Sequence, residues 1–340
     1  MSSLSKQYTP PLQFPRPTTK KRPHPLAKRR SKQPRQKQIV AIGGGKGGVG
    51  KSFVSGNLGV LLVQQGSRVV LLDMDLGGAN LHTCLGVQNL EKGLSDFLDR
   101  KVDTLDAALT DTRISGLRLL SGAQDGSNVA NLKYAQKMRL LRALRSLDAD
   151  YLFMDLGAGT SYNTLDFFLA ADLQILVVIP EPTSIENAYR FLKSTFYRQI
   201  RHNSPDAQVR SLVDEAMNPN NSFGIRTPQD LIKHLSSLGS EMEYFAIDQA
   251  RMFCPKIILN QTRSQRDIQV GLAMEKACLK YFGLSVECVG YIQNTDDVRN
   301  SVLQRSPLVL FRPDSLAAQN LRNIASKVFP ESCGAIRTGS

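Results

Sequence analysis

Short apolar runs recur along the chain, separated by longer stretches with helical spacing. Residues 38–43, 68–74, 117–121, 151–156, 174–179, 255–260 and 286–291 are apolar almost without a break. Such runs predict strands covered on both faces, because a strand with one wet face would alternate. Residues 52–65, 132–147, 162–170, 184–200 and 264–282 carry apolar side chains at helical spacing. The alternation predicts an α/β fold, a mostly parallel doubly wound sheet with helices on both faces.

One stretch breaks the rhythm. Residues 201–253 hold three helical patterns in succession, at 208–217, 227–238 and 241–252. A piece of about 50 residues makes only a marginal core by itself. It is therefore read as a helical insertion packed on the sheet. The predicted organisation is a tail over 1–37, one domain over 38–330 and a flexible segment over 331–340. No internal repeat is visible.

Composition alters this picture mainly at the beginning of the chain. The 340 residues carry a net charge of +13. Eleven of the 43 basic residues, seven of the 16 prolines and none of the 30 acidic residues fall within residues 1–38. The rest of the chain is nearly balanced, so the high net charge does not describe a basic face on the folded domain. The tail is too polar to offset its ordering entropy and is predicted to be disordered. It reads either as a solvated linker or as a docking segment for acidic protein, nucleic acid or anionic lipid. No apolar run approaches the ~20 residues of a membrane span, and the charged N-terminus lacks an apolar signal region. The five cysteines (Cys84, Cys254, Cys278, Cys288, Cys333) are scattered, with no Cys-x-x-Cys pair. They predict reduced thiols in a cytoplasmic protein.

Candidate chemistry begins where the first strand ends. Gly45-Lys46-Gly47-Gly48-Val49-Gly50-Lys51-Ser52 matches G-x-x-x-x-G-K-[ST]. It stands between a predicted strand and a predicted helix, as that motif requires. Glycines let backbone N–H groups turn toward phosphate oxygens, and a helix N-terminus adds its positive dipole end. Lys51 is placed to reach the β- and γ-phosphates and Ser52 to bind Mg²⁺. Residues 45–53, ending at Phe53, form the candidate phosphate site. A second motif, Val-Val-Leu-Leu-Asp73-Met-Asp75 followed by Gly-Gly-Ala-Asn80, ends a buried strand with two carboxylates. In open α/β sheets ligands bind at the carboxyl ends of strands. Asp73 is read as a strand-end structural carboxylate. In a third, four hydrophobic residues precede Asp155, as in a Walker B strand, so Asp155 is a second Mg²⁺ ligand, acting through water, and residues 157–159 form the following switch.

The stretch KGGVGKS resembles the deviant P-loop of the MinD/ParA group of ATPases. The runs around Leu165-Asp166-Phe167-Phe168 and Pro180-Glu181-Pro182-Thr183 resemble the FlhG branch, close to MinD. The resemblance spans residues 38–200 and 255–328. It implies a P-loop NTPase fold with ATP and Mg²⁺ as ligands, and a homodimer in the ATP state. It also implies that Lys46 reaches the nucleotide of the partner subunit, that Asp75 orients the attacking water, that Asn80 closes the same motif and that Asn260 contacts adenine. The implied function is slow, partner-stimulated ATP hydrolysis that regulates the position or number of a cellular structure, in the cytoplasm or peripherally at a membrane or pole. The alternatives are a ParA-type DNA-partitioning ATPase and a non-hydrolysing nucleotide-dependent scaffold. Two family features are missing or altered. The tail has no DQAxxLR-type segment, although Asp248-Gln249-Ala250 occurs late in the chain. The last helical pattern, 315–329, has only Arg322 and Lys327 as cations, so it reads as a core-packing helix, with a membrane anchor as the alternative.

Overall fold

A strand whose side chains alternate between two faces can feed two cores only if both faces are covered. The first strand, β1 (Gln38–Gly43), does this. Ile39 and Ala41 enter one hydrophobic core, and Val40 and Ile42 enter the other. The same split holds for β2 (Val69–Met74) and β5 (Tyr151–Leu156), every residue of which is buried.

The computed structural model describes residues 37–75, 80–88, 90–122, 132–218 and 220–330. The predicted tail up to residue 36, the segment 331–340 and residues 76–79 of the second motif lie outside them. The remaining strands are β3 (Thr110–Asp111), β4 (Leu117–Leu120), β6 (Leu173–Val178), β7 (Lys256–Thr262) and β8 (Glu287–Gln293). They form one eight-stranded sheet in the order β3-β4-β2-β5-β1-β6-β7-β8. Every pairing is parallel except β3 with β4. The α/β doubly wound prediction therefore holds. The short β3 was not foreseen; a half-buried threonine and an exposed aspartate give no apolar signal.

The helices are α1 (Lys51–Gln64), α2 (Leu81–Cys84), α3 (Leu94–Leu98), α4 (Tyr134–Ser146), α5 (Tyr162–Ala170), α6 (Pro182–Asn203), α7 (Ala207–Ala216), α8 (Pro228–Ser237), α9 (Ser240–Met252), α10 (Gln265–Ala277), α11 (Asp296–Leu303), α12 (Leu308–Phe311) and α13 (Leu316–Val328). Helix α6 starts earlier than its apolar pattern because Pro182 is preorganised for the first helical turn. Helix α10 ends earlier than predicted, and a π turn over Cys278–Phe282 follows it. Helix α13 buries Ala317, Ala318, Leu321, Ile324 and Ala325 in the core shared with α1. It is thus a core-packing helix.

Helices α7, α8 and α9 occupy the stretch that interrupts the alternation, and they are stitched to α6. Tyr197 Oη donates to the Thr227 carbonyl at 3.0 Å. Gln199 Nε2 donates to the Gln249 carbonyl at 2.9 Å, and Asn203 Nδ2 to Gln249 Oε1 at 2.6 Å. Gln249 of the late Asp-Gln-Ala triplet is 6% exposed, so its side chain is structural.

Asp166 of α5 joins three helices, α4, α5 and α6. It accepts from Lys137 of α4 at 2.5 Å and from Arg198 of α6, through Nη2 at 2.9 Å and through Nε. Burial alone would raise its pKa, but the Arg198 and Lys137 hydrogen bonds and charges outweigh burial and hold it below the ordinary 3.8. The stabilisation is therefore present above about pH 4 and lost as pH falls through the depressed value. Asp166→Asn leaves two cations without their anion and is expected to cost about 2 kcal/mol at pH 7. Denaturant melts should show the difference narrowing as pH is lowered below 4; a constant difference would contradict this role.

Candidate nucleotide-binding site

The parallel strands β1, β2, β5, β6 and β7 all end at one edge of the sheet, and the predicted motifs gather there. Gly43 closes β1, and residues 44–50 lead into α1. Gly50 caps α1 with φ +94°, and a Cβ there would lie 2.2 Å from Asn260 Nδ2. Only glycine meets both demands. A Cβ on Gly45 would lie 2.3 Å from the Asn187 carbonyl oxygen, so this loop rests directly on the backbone of α6. Lys51, the first residue of α1, is only 7% exposed. Its stem lies back along the loop, its Cδ facing Gly44.

Asp155 on β5 and Asp73 on β2 are register partners, each 1% exposed. They behave differently. Asp73 is fully used: Oδ1 accepts from the Asp75 N–H at 3.1 Å and Oδ2 from the Leu81 N–H at 3.0 Å. It ties Asp75, just after β2, to Leu81, the first residue of α2, which fits its reading as a structural carboxylate. Neither oxygen of Asp155 has a hydrogen bond of good geometry among the described residues. Burial pushes its pKa up to about 7, with the charge on Asp73 adding to the rise; the Ser52 hydroxyl and the Lys51 ammonium act against it. A buried carboxylate without partners, facing a serine hydroxyl, is a donor set for a hard cation. Mg²⁺ takes one or two protein oxygens and completes its shell with phosphate and water. Ser52 and Asp155 fit it.

The Asp75 carboxylate lies over the switch that follows β5: a Cβ on Gly157 would sit 3.6 Å from Asp75 Oδ1. That switch reaches the phosphate loop through the Gly159 N–H, which donates to the Gly44 carbonyl at 3.2 Å. Asn80 is exposed and precedes α2, where its carbonyl accepts from the Thr83 and Cys84 N–H groups. Burial, together with Asp155 and Asp73, pushes the Cys84 thiol up to about 12, so it stays protonated.

Lys46 stands apart from Lys51. It lies half-exposed at the surface, with Nζ 3.4 Å from Glu181 Oε2 and 3.3 Å from Thr183 Oγ1. Asn260 is buried, donates through Nδ2 to the Val49 carbonyl at 2.8 Å and accepts from the Gln261 N–H at 2.9 Å. Its side chain is seated on the phosphate loop. The sequence reading did not single out Gln261, which also touches this loop; its only signal was the Asn-Gln pair closing an apolar strand. Glu181 and Thr183 belong to the run that resembles the FlhG branch, and nothing in the sequence signals their contact to Lys46.

The eight-stranded, mostly parallel sheet agrees with the comparisons. A family model described as ParA, NUBPL iron-transfer P-loop NTPase, matches residues 35–203. The chain is 37% identical over 158 residues to the antiactivator FleN of Pseudomonas aeruginosa and 34% identical over 154 residues to the septum site-determining protein MinD of Helicobacter pylori. This chain belongs to the MinD/ParA group of P-loop NTPases, near its FlhG and MinD branch. The two alignments cover 46% and 45% of this chain and about half of each relative, 55% and 56%. Among solved structures, MinD complexed with Mg-ADP from Pyrococcus horikoshii superposes with a TM-score of 0.60 at 24% identity, covering 89% of this chain and all of that one. The MinC:MinD cell division complex of Aquifex aeolicus gives 0.55 at 21% identity, over 89% of this chain and 98% of that one. These two share the fold. Among the described residues, no helix is long and apolar enough to cross a membrane.

The lonely carboxylate makes a prediction. Asp155 ionises near 3.8 when unperturbed and at about 7 in the fold. The ligand-free protein therefore loses stability as pH rises from about 4 to 7, because the unfolded chain ionises first. Asp155→Asn removes that penalty. With EDTA present at pH 8, the variant should melt a few degrees higher than wild type, and this gain should vanish near pH 4. A lower melting temperature at pH 8 would contradict the assignment of Asp155 as an unpaired buried anion.

Proposed function

We propose that this chain binds and hydrolyses ATP with Mg²⁺, dimerises in the ATP state and regulates the position or number of a cellular structure. The observation that carries the reading is Asp155, buried and unpaired beside Ser52 and Lys51 at the head of α1. Residues 45–53 hold the phosphates through backbone N–H groups, and Lys51 balances β- and γ-phosphate charge. Ser52 and Asp155 hold Mg²⁺, the latter through water; the cation supplies charge stabilisation when bound. Asp75, poised over Gly157, accepts a proton of the attacking water and aligns it with the γ-phosphate. Asn260 has one amide N–H on Val49 and a second left for the adenine base. Asn80 closes the loop beside the phosphates.

Lys46 takes the cross-subunit role. Its surface position, outside the pocket that buries Lys51, suits a group that serves a neighbour's nucleotide. The bond to Glu181 is an exposed pair, worth ~0–1 kcal/mol, and is easily exchanged. Regulation of placement or number rests on relatives named as an antiactivator and as septum-site determinants. On this reading turnover is slow alone and faster with a protein partner. The site of action is the cytoplasm, or the periphery of a membrane or pole. The basic tail docks on an acidic partner or surface. A DNA-partitioning role would call for a basic face on the folded domain, yet residues 39–340 hold 32 basic and 30 acidic side chains. The positioning reading is preferred for that reason. An iron carrier would call for a Cys-x-x-Cys pair, which the sequence lacks.

Two variants separate the steps. Asp75→Ala should bind ATP, dimerise and turn over at least about 100-fold more slowly, the scale of a lost proton acceptor. Lys46→Ala should bind ATP yet stay monomeric. Light scattering with and without ATP, alongside phosphate release, reads both. Wild-type turnover in the first, or a normal ATP-induced dimer in the second, would contradict the assigned roles.

A further inference from the structure

Consecutive residues of a strand point to opposite faces of the sheet. Asn260 and Gln261 are consecutive on β7, and both side chains reach the phosphate loop. Asn260 Nδ2 donates to the Val49 carbonyl at 2.8 Å, and Gln261 Nε2 donates to the Gly48 carbonyl at 3.2 Å. The backbone of Gln261 explains how. Its φ is +58°, a left-handed value shared with only Arg100 and Arg305 among the described non-glycine residues. The β7–β8 register also slips between Leu259 and Thr262. The alternation fails for one residue, and two successive amides face the same loop. A long side chain stays in that backbone region only where its surroundings dictate it, and such residues gather at functional sites.

The consequence lies in the geometry of the peptide bond. A trans peptide is planar, and its N–H points opposite to its C=O. The Gly48 carbonyl shares a peptide with the Val49 N–H, and the Val49 carbonyl shares one with the Gly50 N–H. Drawing both carbonyls toward β7 turns both N–H groups away from β7 and into the loop. Successive inward N–H groups make an anion-binding concavity. The Asn260 Oδ1 bond from the Gln261 N–H, at 2.9 Å, keeps the two amides in step.

We propose that Gln261 is a positioning residue for the nucleotide phosphates: its left-handed backbone and side-chain amide fix the Gly48–Val49 peptide with its N–H toward the ligand. This rests on the reading of residues 45–53 as the nucleotide site. The strain at Gln261 is the cost of putting a second amide on the loop, and the return is a preorganised phosphate cradle. Without it, the Gly48 carbonyl would lose this hydrogen bond, the Gly48–Val49 peptide would be held only from the Val49 side, and phosphate binding would have to fix its orientation.

The test uses the full chain and Mg-ADP, followed by calorimetry, with thermal melts as control. Gln261→Gly suits the left-handed backbone but has no amide. Its melting temperature should match or exceed wild type, while Mg-ADP affinity falls about 3- to 10-fold, the scale of one hydrogen bond. Gln261→Glu keeps the size of the side chain but has no N–H to give, and should lose affinity at least as much. Wild-type affinity in either variant overturns the proposal. So does a melting temperature in Gln261→Gly that falls together with affinity, because that marks a packing role. If the wild-type chain itself does not bind Mg-ADP, the nucleotide-site reading fails instead, which is a different result.

Discussion

A carboxylate sunk at the end of a central strand, with no hydrogen bond of good geometry among the described residues, is the constraint around which this site is organised. Asp155 lies 1% exposed next to Asp73, with Asp75 nearby. Three acidic groups converge where one buried lysine, Lys51, offers compensation. Taking a carboxylate from water without a partner is costly, and here the cost appears as a pKa pushed up to about 7. The free protein therefore holds a site that a cation and the serine hydroxyl would complete. Other features serve that arrangement. The parallel sheet brings all motif-bearing strands to one edge, and both of its faces are covered, which buries Asp155.

The loop facing this carboxylate is held by atoms far away in sequence. Its backbone rests on α6 at Asn187, its carbonyls are drawn to β7, and the Gly44 carbonyl receives the switch after β5. Helix α6 is also the support of α7–α9 and a partner in the Asp166 ion cluster. One long helix thus touches the phosphate loop at its beginning and the helical hairpins at its end. Glu181 and Thr183, at its N-terminus, hold the half-exposed Lys46.

Much of this was legible in the sequence, for identifiable reasons. The apolar runs of β1 and β5 were located to the residue, because both are buried on two faces and end at glycine or a polar turn. The phosphate loop declared itself through glycines, and Asp155 through four hydrophobic residues before it. Short elements without apolar periodicity escaped: β3, α2, α3, α11 and α12. The tertiary bonds escaped too. Lys46 and Glu181 are 135 positions apart, and Gln261 and Gly48 are 213 apart; no local pattern links such pairs. The left-handed turn at Gln261 was hidden because nothing in Asn-Gln-Thr announces a reversal of side-chain direction.

The account stands on one claim, that the head of α1 binds nucleotide phosphates through Lys51 beside a Mg²⁺ held at Asp155. Titration calorimetry of Mg-ADP and of ADP with EDTA, on wild type and Lys51→Ala, measures this directly. Wild type is expected to bind Mg-ADP, to bind ADP more weakly when Mg²⁺ is removed, and to lose at least about 100-fold in affinity when the buried ammonium is deleted, since breaking a desolvated charge pair costs several kcal/mol. Equal affinity in wild type and Lys51→Ala, or indifference of both to Mg²⁺, would contradict it.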